Sequence, residues 1–351
     1  MQNTHEIESR AAESLANSGY VIKSPHGSIM QLPSTVSEDP HARLGLENRS
    51  EIRRFYHEQG YVVVRSLIPR QLCEQAYEAF KKEVRSYRGY LYRQTTANPE
   101  KHVMTGAGFM LNAILNVQDL RHDRFPGFRA NALKILTNLN MQKALTALLG
   151  EAPTLVQSMF FEGNPATRAH QDSYYLDSSQ IGRMVGVWIA IEEIRPEAGR
   201  FFVYPKSHKF VLLPRHDAIS LVTKHKGYKT LILEQINKHR LHCVAPALGP
   251  GDVLFWGALT VHGSLQTTEE KYSRASFTGH YIPASTQFLQ YQNRIKRLYV
   301  KNVNGMHVHF PKDQNCWLNR AILKAETTWP SAFQFAKRTA VRMLMKRKGT
   351  I

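Results

Sequence analysis

Apolar positions recur at helical spacing in the first part of the chain and in short runs in the second. Positions 51–59 place Ile52 and Phe55 on one side and end at Gly60, which predicts a short helix closed by a left-handed glycine. Tyr61 to Val64 is a β-branched and aromatic stretch that predicts a strand. Pro69 opens a second helix in which Leu72, Ala76, Phe80 and Val84 share a face. A further helical stretch covers about 128–149 and is stopped by Gly150. From Ala152 onward the pattern changes to strands over 154–162, 184–194, 201–204, 252–256, 260–264 and 274–282, punctuated by turns such as Gly163-Asn164-Pro165. A more polar, helical segment over about 219–240 interrupts them.

Short strands at regular spacing indicate a β-sandwich or jelly-roll barrel, so the fold class expected is mainly β with flanking helices. Positions 1–48 lack clear periodicity and are expected to form a loose arm. The expected organisation is that arm at 1–48, one domain over 49–290, and a partly helical extension over 291–351. The extension ends in a helix over 331–347. There Arg338, Arg342 and Lys346 recur every four residues on one face, and Ala336, Ala340 and Leu344 share another.

Composition narrows the function classes. The 42% hydrophobic content of 351 residues suits a folded globular chain with a sizeable core. Three widely spaced cysteines, Cys73, Cys243 and Cys316, argue against a disulfide framework and for a reducing compartment. No run approaches the roughly 18 apolar residues of a membrane-spanning helix, and the N-terminus has no signal-peptide core, so a cytoplasmic protein is expected. The net charge of +18 is concentrated at the end. From Gln292 onward there are 13 Lys and Arg against two acids, Asp313 and Glu326, which supplies +11 of the total. Such a field favours polyanions, anionic small molecules or an anionic membrane surface touched from outside. A merely solvated basic surface is the competing reading. No nucleic-acid-binding motif is present.

The candidate chemistry lies in the strand-rich part. Residues i and i+2 of a strand point the same way, so His170-Gln171-Asp172 sets an imidazole beside a carboxylate. With a distant histidine, such a pair makes the 2-His-1-carboxylate triad that leaves open positions on Fe(II). The dyad alone does not establish a metal. His262 supplies the third ligand, in a segment that the turn Gly249-Pro250-Gly251-Asp252 leads into. Arg274 follows by 12 residues, on the expected neighbouring strand, where a guanidinium can clamp the distal carboxylate of 2-oxoglutarate. Ser264, on the face of His262, can add a hydroxyl to that carboxylate. Tyr174 and Tyr175 are candidates for a wall of the substrate pocket; packing at a strand end explains them equally well.

In these motifs the chain resembles the phytanoyl-CoA dioxygenase-like family of Fe(II)/2-oxoglutarate oxygenases. The resemblance runs from about Arg53 to Pro283. It is carried by Phe55 to Val64, by His170-Gln171-Asp172, by Trp188 to Glu193, by Pro205-Lys206-Ser207-His208, by His262-Gly263-Ser264 and by Arg274. It implies a double-stranded β-helix (jelly-roll, cupin-like) core. It also implies a reaction in which Fe(II), dioxygen and 2-oxoglutarate hydroxylate or otherwise oxidise a small molecule, with release of succinate and carbon dioxide. Gln157 would be a strand residue touching the co-substrate. Related halogenases lack the carboxylate ligand; Asp172 is intact, which favours hydroxylation. Two departures add positive charge: Lys206 stands where the family has Gly, and Arg200 where it has a small or apolar residue. They are expected either to meet an anionic or carrier-bound substrate or to face solvent. A second class of function also stays open, a catalytically silent barrel whose basic C-terminal region binds anionic membrane.

Overall fold

The computed structural model describes residues 19–39, 44–210 and 221–347. In chain order they form β1 (Tyr20–Lys23), β2 (Ile29–Leu32), α1 (Arg49–Gln59), β3 (Tyr61–Val64), α2 (Arg70–Ala79), and the short strands β4 (Leu91–Tyr92), β5 (Pro99–Glu100) and β6 (Ile114–Leu115). Then come α3 (Pro126–Leu136), α4 (Leu139–Leu149), β7 (Pro153–Phe161), β8 (Leu176–Ser178), β9 (Val185–Ala190), β10 (Phe201–Val203), α5 (Leu221–Lys238), β11 (Val253–Gly257) and β12 (His262–Ser264). The chain continues through β13 (Ser276–Pro283), β14 (Phe288–Gln290), β15 (Arg294–Lys296), β16 (Val300–Val303), β17 (Met306–His309), α6 (Trp317–Thr328) and α7 (Pro330–Arg347).

The major sheet runs β16-β17-β7-β13-β9-β11-β3, with β6 added on β7. Across it lie two smaller sheets, β10-β12, which is extended by a bridge between His170 and His262, and β15-β14-β8. Neighbours in the sheets are mostly far apart in sequence, as a jelly roll requires.

Alternation along the strands assigns the two faces of the major sheet. Val185, Val187 and Ile189 of β9 pack outward with Phe80, Phe128, Phe160 and Phe277 beneath α1–α4. Trp188 and Ala190 face the barrel interior with Val63, Leu254, Trp256 and Phe201. One inward row crosses five strands in register: Gln157, His280, Gly186, Trp256 and Tyr61. Glycine is required in that row, because a Cβ at Gly186 would lie 2.2 Å from the Trp256 ring.

Several expectations are corrected. The single helix over about 128–149 is two, because the Asn138 side chain accepts from the Asn140 amide at 2.9 Å and starts α4 afresh. The arm is a docked hairpin over its described part: β1 pairs with β2, and Asp39 accepts from the Ala247 amide. The boundary expected at 290/291 cuts the β14–β15 hairpin, and β17 pairs in parallel with β7. The first part of the C-terminal extension is therefore built into the major sheet. The terminal helix is present as α7. The side chains of Arg338, Ala340, Arg342, Leu344 and Lys346 lie outside the described residues, as do residues 1–18. The three cysteines are free.

Candidate metal centre

His262 belongs to β12, and the segment that carries His170 bridges to it through reciprocal backbone bonds of 3.0 Å. Asp172 starts the turn that follows. The Nε2 atoms of His170 and His262 each lie 3.5 Å from Asp172 Oδ1, and the ligating atoms of the three residues fall within 4.8 Å of one another. This is the one such cluster among the described residues.

Outer contacts fix how each ligand presents itself. His170 Nδ1 donates to the Arg168 carbonyl at 2.8 Å and His262 Nδ1 to the Thr260 carbonyl at 2.9 Å. Both Nε2 lone pairs are thereby directed at the centre. Trp256 Nε1 donates to Asp172 Oδ2 at 2.8 Å, and His280 Nε2 lies 3.3 Å from the same oxygen. Oδ2 is thus occupied and Oδ1 is left for a metal. Burial works to raise the Asp172 pKa, but the imidazoles of His262, His280 and His170 outweigh it and hold the carboxyl well below its ordinary value. Burial lowers the His262 pKa, against the pull of Asp172, which favours the neutral ring a ligand needs. Two imidazole nitrogens and one carboxylate oxygen on a single face suit Fe(II) with open positions opposite.

The segment is braced from outside the barrel. The Tyr228 hydroxyl of α5 accepts from the Gln171 amide at 3.0 Å, and its ring stacks on Tyr174 at 3.8 Å. Gln171 Nε2 donates to the Leu259 carbonyl. The polar helical insert therefore buttresses the turn that carries Asp172.

Arg274 lies two residues before β13, its guanidinium between the rings of Phe161 and Trp188. It is 2% exposed, makes no ion pair among the described residues, and its Nε has no acceptor. Burial alone pushes its pKa down to about 9, so it stays charged at neutral pH. A buried guanidinium without an anion is costly, and a carboxylate from outside the protein is the partner that fits it. Among the described residues, Gln157 Oε1 and His280 Nδ1 also lack hydrogen-bond partners. Between Arg274 and the row that holds Gln157, His280 and Trp256, the next inward row supplies Met159, Thr278 and Trp188. Unpaired polar groups thus sit at both ends of one strip of the barrel interior.

Two residues leave the co-substrate and substrate sets. Ser264 Oγ donates to Asn164 Oδ1 at 3.0 Å and accepts from the Thr167 amide at 2.7 Å. Its one proton is spent on the loop leading to His170, because Asn164 Oδ1 also accepts from Ala166 and has no proton to give. Arg200 is buried and donates to the carbonyls of Ile194, Pro33 and Ser34. It fastens the N-terminal hairpin to the barrel and faces neither substrate nor solvent. Lys206 is exposed at φ 67°, a conformation that suits glycine and costs a lysine strain. Of the tyrosines, Tyr175 stands edge-on to His170 at 5.9 Å, while Tyr174 is buried under α5. For Trp256, His280, Asn164 and Tyr228 the sequence carries no signal of a place at the site. Each reaches the site through pairings tens of residues away, which no local spacing signals.

The family model described as Phytanoyl-CoA dioxygenase (PhyH) matches residues 56–276. Peroxisomal phytanoyl-CoA dioxygenase of Homo sapiens is 26% identical over 303 residues, covering 79% of this chain and 83% of that protein. Among solved structures, EctD from S. alaskensis with 2-oxoglutarate and 5-hydroxyectoine aligns at a TM-score of 0.50 and 16% identity, covering 79% of this chain and 93% of EctD. The non-heme alpha ketoglutarate dependent carbocyclase SnoK from nogalamycin biosynthesis aligns at a TM-score of 0.50 and 18% identity, covering 69% and 87%. These likenesses agree with the double-stranded β-helix fold.

Proposed function

The chain belongs to the phytanoyl-CoA dioxygenase family of 2-oxoglutarate-dependent iron oxygenases, and from that premise we propose that it hydroxylates a small organic molecule at a centre held by His170, Asp172 and His262. The observation that carries the reading is the pairing of an intact ligand set with a buried, anion-less Arg274 at the other end of the same strip. A barrel that had only kept its shape would have no reason to leave a guanidinium buried and unpaired.

In this reading His170 and His262 present Nε2, and Asp172 presents Oδ1. Bound Fe(II) supplies the redox chemistry by which dioxygen and 2-oxoglutarate are turned into an oxidant of C–H bonds, with succinate and carbon dioxide released. Arg274 binds and orients the distal carboxylate of the oxoacid. Gln157 and His280 donate to or accept from its polar atoms at the metal end. Trp256 keeps Asp172 from rotating and excludes water from its far side. Phe201, Trp188 and Trp256 make the interior wall around His262 dry.

The prime substrate approaches where His170 is the partly exposed ligand, with Tyr175 at its edge. The excess of basic residues supports an anionic or carrier-bound substrate, and the breadth of oxidations in such folds supports a biosynthetic role. A panel of metabolites, read by succinate release above the uncoupled rate, tests this. Stimulation by anionic compounds or their thioesters is expected. Stimulation confined to neutral or cationic compounds overturns the substrate class and leaves the oxygenase reading in place.

A further inference from the structure

Helix α6 is amphipathic in the wrong sense for a helix on a water-soluble surface. Trp317, Leu318, Ala321, Ile322, Ala325 and Trp329 fall on one side by their spacing of three and four. That side faces out: Trp317 is 70% exposed, Trp329 is 65% exposed, and Leu318 and Ile322 are also exposed. The one carboxylate of the helix, Glu326, points in and is buried. Tyr92 donates to Glu326 Oε2 at 3.0 Å, and the Lys312 ammonium sits 3.5 Å over the Tyr92 ring, within reach of the carboxylate's charge. The helix is therefore pinned by its acidic side, with its apolar stripe turned to solvent.

The exposed charge that the two helices themselves carry is of one sign. Arg320 and Lys324 are exposed on the same helix. Across α6 and α7 the sequence holds seven Lys and Arg, and its single acid is the buried Glu326. Phe335, near the start of α7, is 74% exposed. We propose that α6 and the start of α7 form a docking surface for an anionic lipid bilayer, with Trp317, Trp329 and Phe335 entering the headgroup region and the basic residues meeting the lipid charge.

Three features favour a lipid surface. Tryptophans at both ends of the stripe match the preference of indole for the membrane–water boundary. An apolar stripe edged by Lys and Arg, on a helix that exposes no acid, is the pattern of helices that lie in the plane of an anionic membrane. A second copy of this chain would bring two strongly basic faces together, which repulsion opposes. No helix among the described residues is long and apolar enough to cross a membrane, so contact would be peripheral.

The chain carries its own probe. Of its four tryptophans, Trp188 and Trp256 are buried in the barrel and Trp317 and Trp329 are exposed. The full chain, loaded with Fe(II), is mixed with vesicles of phosphatidylcholine containing about one third phosphatidylserine, and with pure phosphatidylcholine vesicles. The expected result is co-sedimentation with the anionic vesicles only. Tryptophan emission should shift to the blue and be quenched by brominated acyl chains. Binding should weaken at least tenfold when salt rises from 0.1 to 1 M, as the screening length falls from about 10 to about 3 Å. Trp317→Ser/Trp329→Ser should lose at least tenfold in vesicle affinity, with uncoupled succinate formation in free solution unchanged. If that variant fails to fold, quenching of the unmodified chain still decides the matter. Absence of binding to anionic vesicles overturns the proposal, as does binding without a tryptophan response. A self-association in the absence of lipid that Trp317→Ser/Trp329→Ser abolishes would assign the surface to a second copy instead.

Discussion

Arg200 and Arg274 are 2% exposed each and lie in the same barrel, yet their surroundings have opposite meanings. Arg200 spends its donors on three backbone carbonyls, and burial lowers its pKa to about 10. Arg274 has two aromatic rings beside it and, among the described residues, no acceptor for its Nε. Burial by itself distinguishes neither. The difference lies in whether the fold itself supplies the hydrogen-bond partner. Where it does, the arginine fastens the structure; where it does not, the site awaits a ligand.

The contrast is most directly broken by exchange of function for stability. Arg274→Ala is expected to raise the 2-oxoglutarate KM by about 10²–10³, the cost of removing one partner of a buried charge pair. Its stability should fall by no more than about 1 kcal/mol, since in the free protein the guanidinium has only the Phe161 and Trp188 rings to lose. A fall in stability with unchanged KM would place Arg274 in the class of Arg200. The reciprocal variant, Arg200→Met, leaves three carbonyls without donors and should destabilise the chain by about 2–4 kcal/mol in denaturant unfolding. Its 2-oxoglutarate KM should stay within about twofold.

A third buried basic group extends the rule to a neutral base. The Tyr299 amide donates to His309 Nδ1 at 2.9 Å, and burial pushes the His309 pKa down to about 4. Between pH 6.5 and 4 the unfolded chain binds this proton and the folded chain does not. Stability from this group is therefore complete above pH 6.5 and is lost as pH falls towards 4, by on the order of 3 kcal/mol. His309→Gln should flatten that part of the stability profile; an unchanged slope would remove His309 from the account. The smallest effects concern residues acting through others. Trp256→Phe removes the donor to Asp172 Oδ2 and should weaken Fe(II) binding about tenfold. Ser264→Ala should cut turnover a few-fold while leaving 2-oxoglutarate affinity unchanged; a tenfold loss of that affinity would return Ser264 to the co-substrate set.

The comparison also explains what was legible in the sequence. That His170 and Asp172 lie close together was legible because residues two apart in an extended segment stay neighbours, and His262 joins them from a strand that a strong turn leads into. Ser264 shares the face of His262 as expected, but alternation does not say which loop covers a face, and Asn164 covers this one. Arg200 was misread for the same reason: the carbonyls of Pro33 and Ser34 come from a hairpin more than 160 residues earlier. Trp256, His280 and Gly186 belong to one row that only strand register assembles. In the C-terminal region the net charge was legible, but the direction in which α6 faces depends on Tyr92 and Lys312, which its own pattern does not contain.

The central claim is that His170, Asp172 and His262 hold Fe(II) while Arg274 holds 2-oxoglutarate. Anaerobic titration of 2-oxoglutarate into the Fe(II)-loaded chain, followed by visible absorbance, tests it most directly. The account predicts a metal-to-ligand charge-transfer band in the unmodified protein. The band should be absent in His170→Ala, and in Arg274→Ala it should appear only at far higher 2-oxoglutarate. An unmodified protein that shows neither the band nor any succinate on exposure to air would contradict it.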